Sequence, residues 1–271
     1  MICPETKKAA IIDPVLDYNA NNANTSTQFI DEVLLYIKHK GLIVQHVLET
    51  HAHADHLTSA AYVTSKTKAP VAIGEGIQRV QEIFKSIFNL DESFRTDGSQ
   101  FNLLLKDGDK IRCGNLQIKV LHTPGHTNDS MSFICGDCVF IGDTLFSPDY
   151  GSARCDFPGG NAQKLFDSVQ KLYALGEEKK LYLCHDYPPN QRKPLAWFLS
   201  SVQQTENKHI TRTTKIEDFI RMREQRDAQL NQPKLIIPSI QVNIRAGNFP
   251  EPESNGCRYL KIPINTLGKG S

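Results

Sequence analysis

The sequence lacks the features that mark membrane, secreted and nucleic-acid-binding proteins. Its 271 residues contain no apolar run near the about 18 residues that a membrane-spanning helix needs. The opening Met1–Lys8 lacks the basic, apolar and small-residue parts of a secretion signal. Its formal net charge is only +1, with both signs intermixed, so there is no extended basic field for nucleic acid. We therefore expect a cytoplasmic protein without a membrane or nucleic-acid partner.

The cysteines do not indicate a disulfide framework. There are seven, an odd number, scattered from Cys3 to Cys257, and we expect reduced thiols. Cys135 and Cys138 enclose only Gly136 and Asp137, a spacing that suits a redox dithiol or half of a zinc site. However, strand-like residues flank this Gly-Asp pair on both sides, so the segment is predicted to be a hairpin with a two-residue turn.

The composition that is present suits a globular α/β chain with a sizeable core, since 39% of residues are hydrophobic and the mean hydropathy is −0.37. Apolar spacing predicts a first strand at Ala9–Asp13 and a helix from near Ser26 to just before Gly41. Further helices are predicted at Ala162–Leu175 and at about Ile216–Leu230. Strands and helices alternate between these points, which is typical of an α/β fold.

The character of the chain changes near residue 188, where a loop rich in proline begins. We predict a catalytic domain at 1–188 and a C-terminal extension at 189–271 that packs on it. The late helix carries Arg221, Arg223 and Arg226, which are predicted to form an exposed face or an oligomer contact.

One segment carries unusual chemistry. His51, His53, Asp55 and His56 lie within six residues, directly after the apolar strand Val44–Leu48, and the helical pattern is predicted to resume at Leu57. In extended backbone, residues two apart point to the same side, so the first two imidazoles can face one ion. Without a cation these groups would repel and desolvate one another. The segment therefore predicts a metal site.

Further ligand types follow other predicted strands. His126 comes after Ile118–Leu121, Asp143 after Val139–Phe140, and His185 after Leu181–Tyr182. The other histidines do not lie in such a group of ligand types and are interpreted as core or solvated residues: His39, His46, His122 and His209.

The order His-x-His-x-Asp-His, followed by His, Asp and His on later strand ends, resembles the metallo-β-lactamase superfamily. This resemblance implies an αββα sandwich, with two mixed sheets back to back and helices outside, a metal site at the sheet edge and, here, a short C-terminal extension. His51, His126 and Asp143 can form the two-histidine, one-carboxylate face of a non-haem Fe(II) site. Yet four more ligand types remain for a second ion, so the ligand inventory does not choose between one iron and two zincs: His53, Asp55, His56 and His185.

The chain also resembles the bacterial persulfide dioxygenases, and the resemblance covers almost its whole length. Four segments carry it: Gly142–Phe146, Asp149–Gly160, Cys184–Tyr187 and Pro238–Gly247. The resemblance implies one Fe(II) per chain, held by His51, His126 and Asp143. It implies the oxidation of glutathione persulfide with O₂ and water to sulfite and glutathione. The remaining ligand types would surround and orient the iron ligands, together with Asp186. Asp55 has an alternative role as a general base.

A glutathione substrate brings two carboxylates and one ammonium, for which arginine forks and hydroxyl donors are suited. Arg154 and Tyr187 are the first candidates for substrate contacts, followed by Arg192 and Arg245. We also expect a homo-oligomer, most simply a dimer.

Two other functions stay open. A dizinc hydrolase of glutathione thioesters, such as glyoxalase II, would share the ligands and the glutathione carrier, although that family usually has a different, helical C-terminal domain. The second alternative is a metal- or sulfur-binding sensor without catalysis. It is disfavoured because every ligand position is intact.

Overall fold

The strands and helices follow the apolar spacing of the sequence closely. A computed structural model describes residues 1–189 and 192–267. Its elements in chain order are β1 (Lys8–Ile12), β2 (Val15–Asn19), β3 (Asn24–Ser26), α1 (Gln28–His39), β4 (Ile43–Leu48), β5 (Leu57–Thr58), α2 (Ala60–Thr67), β6 (Val71–Gly74), α3 (Ile77–Ile87), β7 (Leu103–Leu105), β8 (Lys110–Cys113), β9 (Leu116–His122), β10 (Met131–Cys135), β11 (Cys138–Phe140), α4 (Ala162–Tyr173), β12 (Lys180–Tyr182), β13 (Trp197–Leu199), α5 (Ser200–Glu206), α6 (Ile216–Asp227) and α7 (Ile236–Asn243).

The chain folds into two compact units. The first consists of Met1–Leu105, Arg112–Leu116 and Asn231–Ser271. Its main sheet has the order β1-β4-β6-β7 with every pair parallel, and a small antiparallel sheet has the order β3-β2-β5. Parallel strands end at the same edge, so the loop after β4 and the residue after β1 become neighbours.

The second unit consists of Lys106–Ile111 and Gln117–Leu230. Its strands belong to a sheet of order β13-β12-β11-β10-β9-β8, in which β11 and β12 are parallel. Leu165, Val169 and Leu172 of α4 are fully buried in one cluster with Val139 and Leu181 of the sheet. Each such side chain contributes about 1.5–3 kcal/mol of hydrophobic stabilisation, so this helix fixes the strands from which the unit's ligand loops emerge.

The predicted hairpin at Cys135–Cys138 is confirmed. Strands β10 and β11 are antiparallel and Cys135 is the register partner of Cys138, with Gly136 at φ 58° in the turn. None of the seven cysteines, all of which lie in the described ranges, is in a disulfide.

The helix predicted to resume at Leu57 is a wrong prediction. Leu57 and Thr58 form β5, in which Leu57 pairs with Leu16 of β2, and the helix begins only at Ala60. Leu57 is completely buried. Its cross-strand partner and this burial outweigh the local helical spacing, which could not reveal the distant strand.

The basic helix is also buried more deeply than predicted. Arg221 and Arg226 of α6 are exposed as expected, but the side chain of Arg223 is only 1% exposed. Arg223 faces inward because Asp227, one turn later on the same helix, pairs with it.

The predicted domain boundary at residue 188 stays a prediction, and the compact units divide the chain elsewhere. The C-terminal part contributes to both units, since residues 189–230 fall in the second and 231–271 in the first. Within their own units, α5 and α6 pack on α4, and α7 packs on β5. Among the described residues, no helix has the length and apolar character to cross a membrane.

Candidate metal centre

The histidine-rich loop after β4 is held by two residues that are distant in sequence. Asp13 follows β1, and its carboxylate accepts the Thr50 backbone N–H at 2.7 Å. Asn243, at the end of α7, donates its amide to the carbonyl oxygens of His53 at 2.7 Å and His56 at 2.8 Å. Its own amide oxygen accepts the backbone N–H of Thr58 at 2.8 Å. The loop is therefore shaped by hydrogen bonds at both of its ends.

Asp13 also sets the orientation of His51. The Thr50 hydroxyl donates to Asp13 Oδ2 at 2.9 Å and lies 3.0 Å from His51 Nδ1. Because that hydroxyl proton is used on the carboxylate, its oxygen accepts from Nδ1–H of His51. The lone pair of this buried imidazole is then on Nε2, the arrangement expected of a metal ligand.

His53 is surrounded by carboxylates. Its Nε2 lies 3.1 Å from Asp13 Oδ1 and 3.7 Å from Glu49 Oε2. Burial lowers the pKa of His53, but the carboxylates of Asp13 and Glu49 outweigh burial and raise this pKa to about 10. Burial, together with the nearby Asp13 charge, raises the pKa of Glu49 to about 8. These carboxylates thus attract positive charge, whether a proton or a metal cation.

A first ligand cluster is formed within the first unit by His51, His53, Asp55 and His56. The imidazole rings of His51 and His53 are 4.0 Å apart, and those of His53 and His56 are 4.2 Å apart. Burial and the positive charge on His53 lower the pKa of His56 to about 4, which keeps that imidazole neutral and able to ligate. Ligand atoms of His53, Asp55 and His56 lie within 4.8 Å of one another.

The second unit holds the remaining predicted ligands, beginning with His126. Its Nδ1 lies 2.8 Å from the carbonyl oxygen of Arg154, which can only accept, so Nδ1 carries the proton and Nε2 the lone pair. The preceding Gly125 has φ 141°, and a Cβ there would lie 2.3 Å from the Leu165 backbone nitrogen. The turn into His126 therefore requires glycine so that it can pack against α4.

A second ligand cluster is formed by His126, Asp143 and His185. The Asp143 carboxylate lies between the two imidazoles, with Oδ2 3.9 Å from His126 Nε2 and Oδ1 3.7 Å from His185 Nε2. Asp143 is 8% exposed and His126 7% exposed. Three residues that the sequence separates widely are thus brought together, as predicted from their positions at strand ends.

The predicted substrate arginines of this unit are engaged with carboxylates. Arg154 makes a two-point ion pair with Asp156, with Nε–Oδ1 at 2.6 Å and Nη2–Oδ2 at 2.7 Å. Arg192 donates to both carboxylate oxygens of Asp186, at 2.8 and 2.7 Å, and to Asp149. Asp186, predicted to orient metal ligands, therefore holds an arginine. The predicted roles of these residues stay predictions.

Tyr187 and Arg245 lie in different surroundings. The ring of Tyr187 stacks on that of His185 at 5.6 Å and lies 4.9 Å from Tyr150, and Tyr187 is 47% exposed. A half-exposed phenol beside a predicted ligand suits a substrate contact. Arg245, in the first unit, lies over the Phe94 ring at 4.6 Å, and burial lowers its pKa to about 10.

Both clusters suit a transition-metal ion. They offer buried imidazole nitrogens and carboxylate oxygens, the donors that zinc and iron(II) take in proteins. The buried Nδ1 of His53 has no hydrogen-bond partner among the described residues, while Nε2 faces Asp13. A carboxylate on one side of an imidazole and a metal on the other is the usual pattern for a histidine ligand.

Sequence reasoning gave no role at the site to several residues that contact these ligands or the loops that carry them: Asp13, Glu49, Thr50, Asn243, Arg223 and Asp227. Only Asp13 had a local signal, because it is the last residue of a predicted strand. Asn243 fell within a segment quoted for its resemblance, without a role of its own.

Fold and site together define an α/β metal-binding protein whose histidine and aspartate ligands follow strand ends. Residues 1–185 match the family described as the metallo-beta-lactamase superfamily. The chain belongs to this superfamily, and the predicted fold class is confirmed.

The curated relatives carry different names at different distances. A protein of Dictyostelium discoideum named Glyoxylase B2 is 49% identical over 98% of this chain and 92% of its own length. A protein of Burkholderia pseudomallei named probable metallo-hydrolase is 44% identical over 96% of this chain and 92% of its own length. The human mitochondrial persulfide dioxygenase ETHE1 is 28% identical over 90% of this chain and 81% of its own length.

Solved structures agree on the fold. ETHE1 from Myxococcus xanthus is 30% identical with a TM-score of 0.72, covering 92% of both chains. A metallo-beta-lactamase from Staphylococcus aureus has a TM-score of 0.70 at 21% identity, covering 93% of this chain and 70% of its own length, and shows the fold alone.

Proposed function

We propose that this chain is a metal-dependent enzyme that acts at the sulfur of a glutathione derivative. The observation that carries the proposal is the preparation of imidazoles for metal binding in both units. His51 and His126 each have Nδ1 tied to an oxygen acceptor, which leaves Nε2 as the ligand atom. With Asp143 they would supply the two-histidine, one-carboxylate set that the sequence predicts.

Two reactions suit this ligand set, and they differ in the number of ions. The first candidate is hydrolysis of a glutathione thioester with two zincs. The names of the relatives at 44–49% identity support it better than the dioxygenase, whose curated relatives include the human protein at 28%. The His53 imidazole, with its unpartnered Nδ1, also suits a second ion together with Asp55 and His56.

In the hydrolase, zinc would supply Lewis acidity toward the thioester carbonyl. The chain's own residues would orient and move protons. Asp13 would hold His53 through Nε2, and Asp55 would take a proton from the attacking water.

The second candidate is oxidation of glutathione persulfide to sulfite and glutathione with one Fe(II). Support comes from the four sequence segments that resemble persulfide dioxygenases. Further support is the likeness to ETHE1 from Myxococcus xanthus over 92% of both chains, which includes C-terminal residues beyond the 1–185 family match. Iron would supply the electron chemistry with O₂ that no side chain provides. Tyr187, half-exposed beside His185, would donate its phenol to the carrier.

One experiment separates the candidates. Protein purified without oxygen is analysed for iron and zinc, and then assayed for O₂ uptake with glutathione persulfide and for cleavage of S-lactoylglutathione. About one iron per chain with O₂ uptake and sulfite formation supports the dioxygenase. Two zincs with thioester cleavage support the hydrolase, and failure to bind iron or zinc contradicts the proposal as a whole.

His56→Ala sharpens the test, because His56 belongs only to the ligands available for a second ion. A two-zinc hydrolase would lose about one zinc per chain and most of its activity. A one-iron dioxygenase would retain its iron. His39→Ala, on the exposed side of α1, is the matched control.

A further inference from the structure

A buried ion pair on α6 lies close to the loop that contacts His126. Arg223 is 1% exposed and Asp227 5% exposed. The guanidinium donates to Asp227 Oδ1 through Nη2 at 2.6 Å and through Nε at 3.2 Å. Removing two charges from water is costly, and further hydrogen bonds to both groups must offset that cost. The hydrogen-bond partners of this buried pair therefore determine whether its charges are compensated.

The pair is bonded to two positions of one loop, and Arg223 Nη1 also lies 3.4 Å from Nδ1 of His209. Arg223 Nη1 donates to the carbonyl oxygen of Ser152 at 3.1 Å and to its hydroxyl at 3.2 Å. The second carboxylate oxygen of Asp227 accepts the backbone N–H of Cys155 at 2.8 Å. The ion pair thus attaches both ends of the segment 152–155 to α6.

Arg154 lies between these two attachment points, and its carbonyl oxygen accepts from His126 Nδ1 at 2.8 Å. The position of that carbonyl decides which ring nitrogen of His126 carries the proton and where Nε2 points. The backbone at Gly160 packs tightly against the same loop. A Cβ there would lie 2.3 Å from the Cys155 carbonyl oxygen and 3.0 Å from that of His126.

We propose that Arg223 and Asp227 are positioning residues for the metal ligand His126, acting through the carbonyl oxygen of Arg154. The inference rests on the proposed function in one respect, namely that His126 binds the metal. Residues that orient a metal-bound histidine typically contribute about 10–100-fold to metal affinity. Arg223 and Asp227 would do so from α6, through the loop 152–155.

The test measures the zinc dissociation constant of the full chain by competition with a chelator. Asp227→Ala should weaken zinc binding about 10–100-fold. Asp227→Asn keeps an acceptor for the Cys155 N–H but loses the charge that holds Arg223, so its affinity should lie between wild type and Asp227→Ala. The visible spectrum of the cobalt(II)-substituted protein should shift in the same order, because it reports the geometry of the ligands rather than stability.

Tyr173→Phe is the matched control. Its hydroxyl is buried in the same unit and donates to the carbonyl oxygens of Gln203 at 3.0 Å and Ile210 at 2.8 Å. It should lower the free energy of unfolding but leave zinc affinity and the cobalt spectrum unchanged. Equal losses of zinc affinity in Tyr173→Phe and Asp227→Ala would overturn the inference, as would wild-type affinity in Asp227→Ala.

Two further variants keep the result interpretable. If Asp227→Ala does not fold, Arg223→Lys decides. Lysine keeps the charge, but its single ammonium cannot bond Asp227 and Ser152 at once as the guanidinium does. Weaker zinc binding in this variant supports the inference, and wild-type binding overturns it. His126→Ala tests the premise. Unchanged zinc affinity in that variant contradicts the proposed metal site, whereas its loss together with normal Asp227→Ala binding contradicts only the role of α6.

Discussion

The two ligand clusters prepare their histidines by different means. In the first, Asp13 orients His51 through the Thr50 hydroxyl and lies 3.1 Å from His53, so that charge is concentrated beside the ligands. In the second, a neutral backbone carbonyl orients His126, and the charges of Arg223 and Asp227 lie one step further away. A charged carboxylate therefore orients the histidines of the first cluster, whereas the shape of a loop orients His126 in the second.

This contrast predicts different responses to substitution. Loss of the Asp13 carboxylate beside the first cluster changes both charge and orientation. Loss of a support in the second changes orientation alone. Four experiments, from the largest expected effect to the smallest, test the distinction.

The largest effect is expected for Asp143→Ala. Asp143 approaches both imidazoles of the second cluster and is itself a predicted ligand. Its removal should therefore lower metal affinity by more than the about 10–100-fold expected for residues that only orient ligands. We expect almost complete loss of bound metal after dialysis, and of activity in either proposed reaction. Elemental analysis of the dialysed protein measures this. Asp137→Ala, in the exposed hairpin turn, is the control, and metal retention by Asp143→Ala would remove Asp143 from the site.

Asp13→Ala should have the next largest effect. It leaves the Thr50 hydroxyl without its carboxylate and His53 without its nearest anion, so metal affinity should fall about 10–100-fold. Chelator competition measures the change, with the exposed Asp17→Ala of β2 as the matched control. Equal affinities in both variants would show that charge beside the first cluster is unimportant, and the contrast between the clusters would disappear.

The loop of the second cluster should respond to pH through His209. Its Nδ1 accepts the backbone N–H of Ser152 at 2.9 Å. Burial, with the charge of Arg223, lowers the pKa of His209 to about 3 from an ordinary value of 6.5. The folded state therefore binds a proton less readily than the unfolded state. The stabilisation by neutral His209 is complete above about pH 6.5 and is lost as the pH falls toward 3.

Denaturant unfolding at several pH values tests this dependence. The free energy of unfolding should fall between pH 6.5 and pH 4, and His209→Gln should reduce the slope because glutamine does not titrate. An unchanged slope in the variant would assign the pH dependence to other groups.

The smallest effect is expected for Arg154→Lys. The Arg154 guanidinium makes a two-point ion pair with Asp156, a geometry that lysine cannot form. The backbone carbonyl of residue 154 still accepts from His126 in the variant. If the side chain also binds a substrate carboxylate, KM should rise about threefold to tenfold, consistent with one weakened charged hydrogen bond. Metal affinity should not change. Steady-state kinetics and metal analysis on the same preparation measure KM and metal content. A loss of metal without a change in KM would assign the Arg154 side chain to metal binding instead of substrate binding.

Local patterns predicted the elements and the ligand loops well, because apolar spacing and strand ends are written in consecutive residues. The hairpin at Cys135–Cys138 and the helices α1, α4 and α6 lie where these patterns indicate. The predictions were wrong where a distant partner decided the outcome. Leu57 is in a strand because Leu16 pairs with it, and Arg223 is buried because Asp227 and Ser152 receive its hydrogen bonds.

By itself the sequence determined that this protein carries a metal-binding site, since residue types and their spacing supply a histidine- and aspartate-rich set suited to a cation. Only the tertiary structure decided which ring nitrogens are tied to hydrogen-bond acceptors and which are left to bind a metal. Tautomer and orientation depend on acceptors such as Asp13 and the Arg154 carbonyl oxygen, which reach their histidines from other strands and loops. A hydrogen bond between residues far apart in the chain leaves no periodic trace in it, so such supports become visible only after folding.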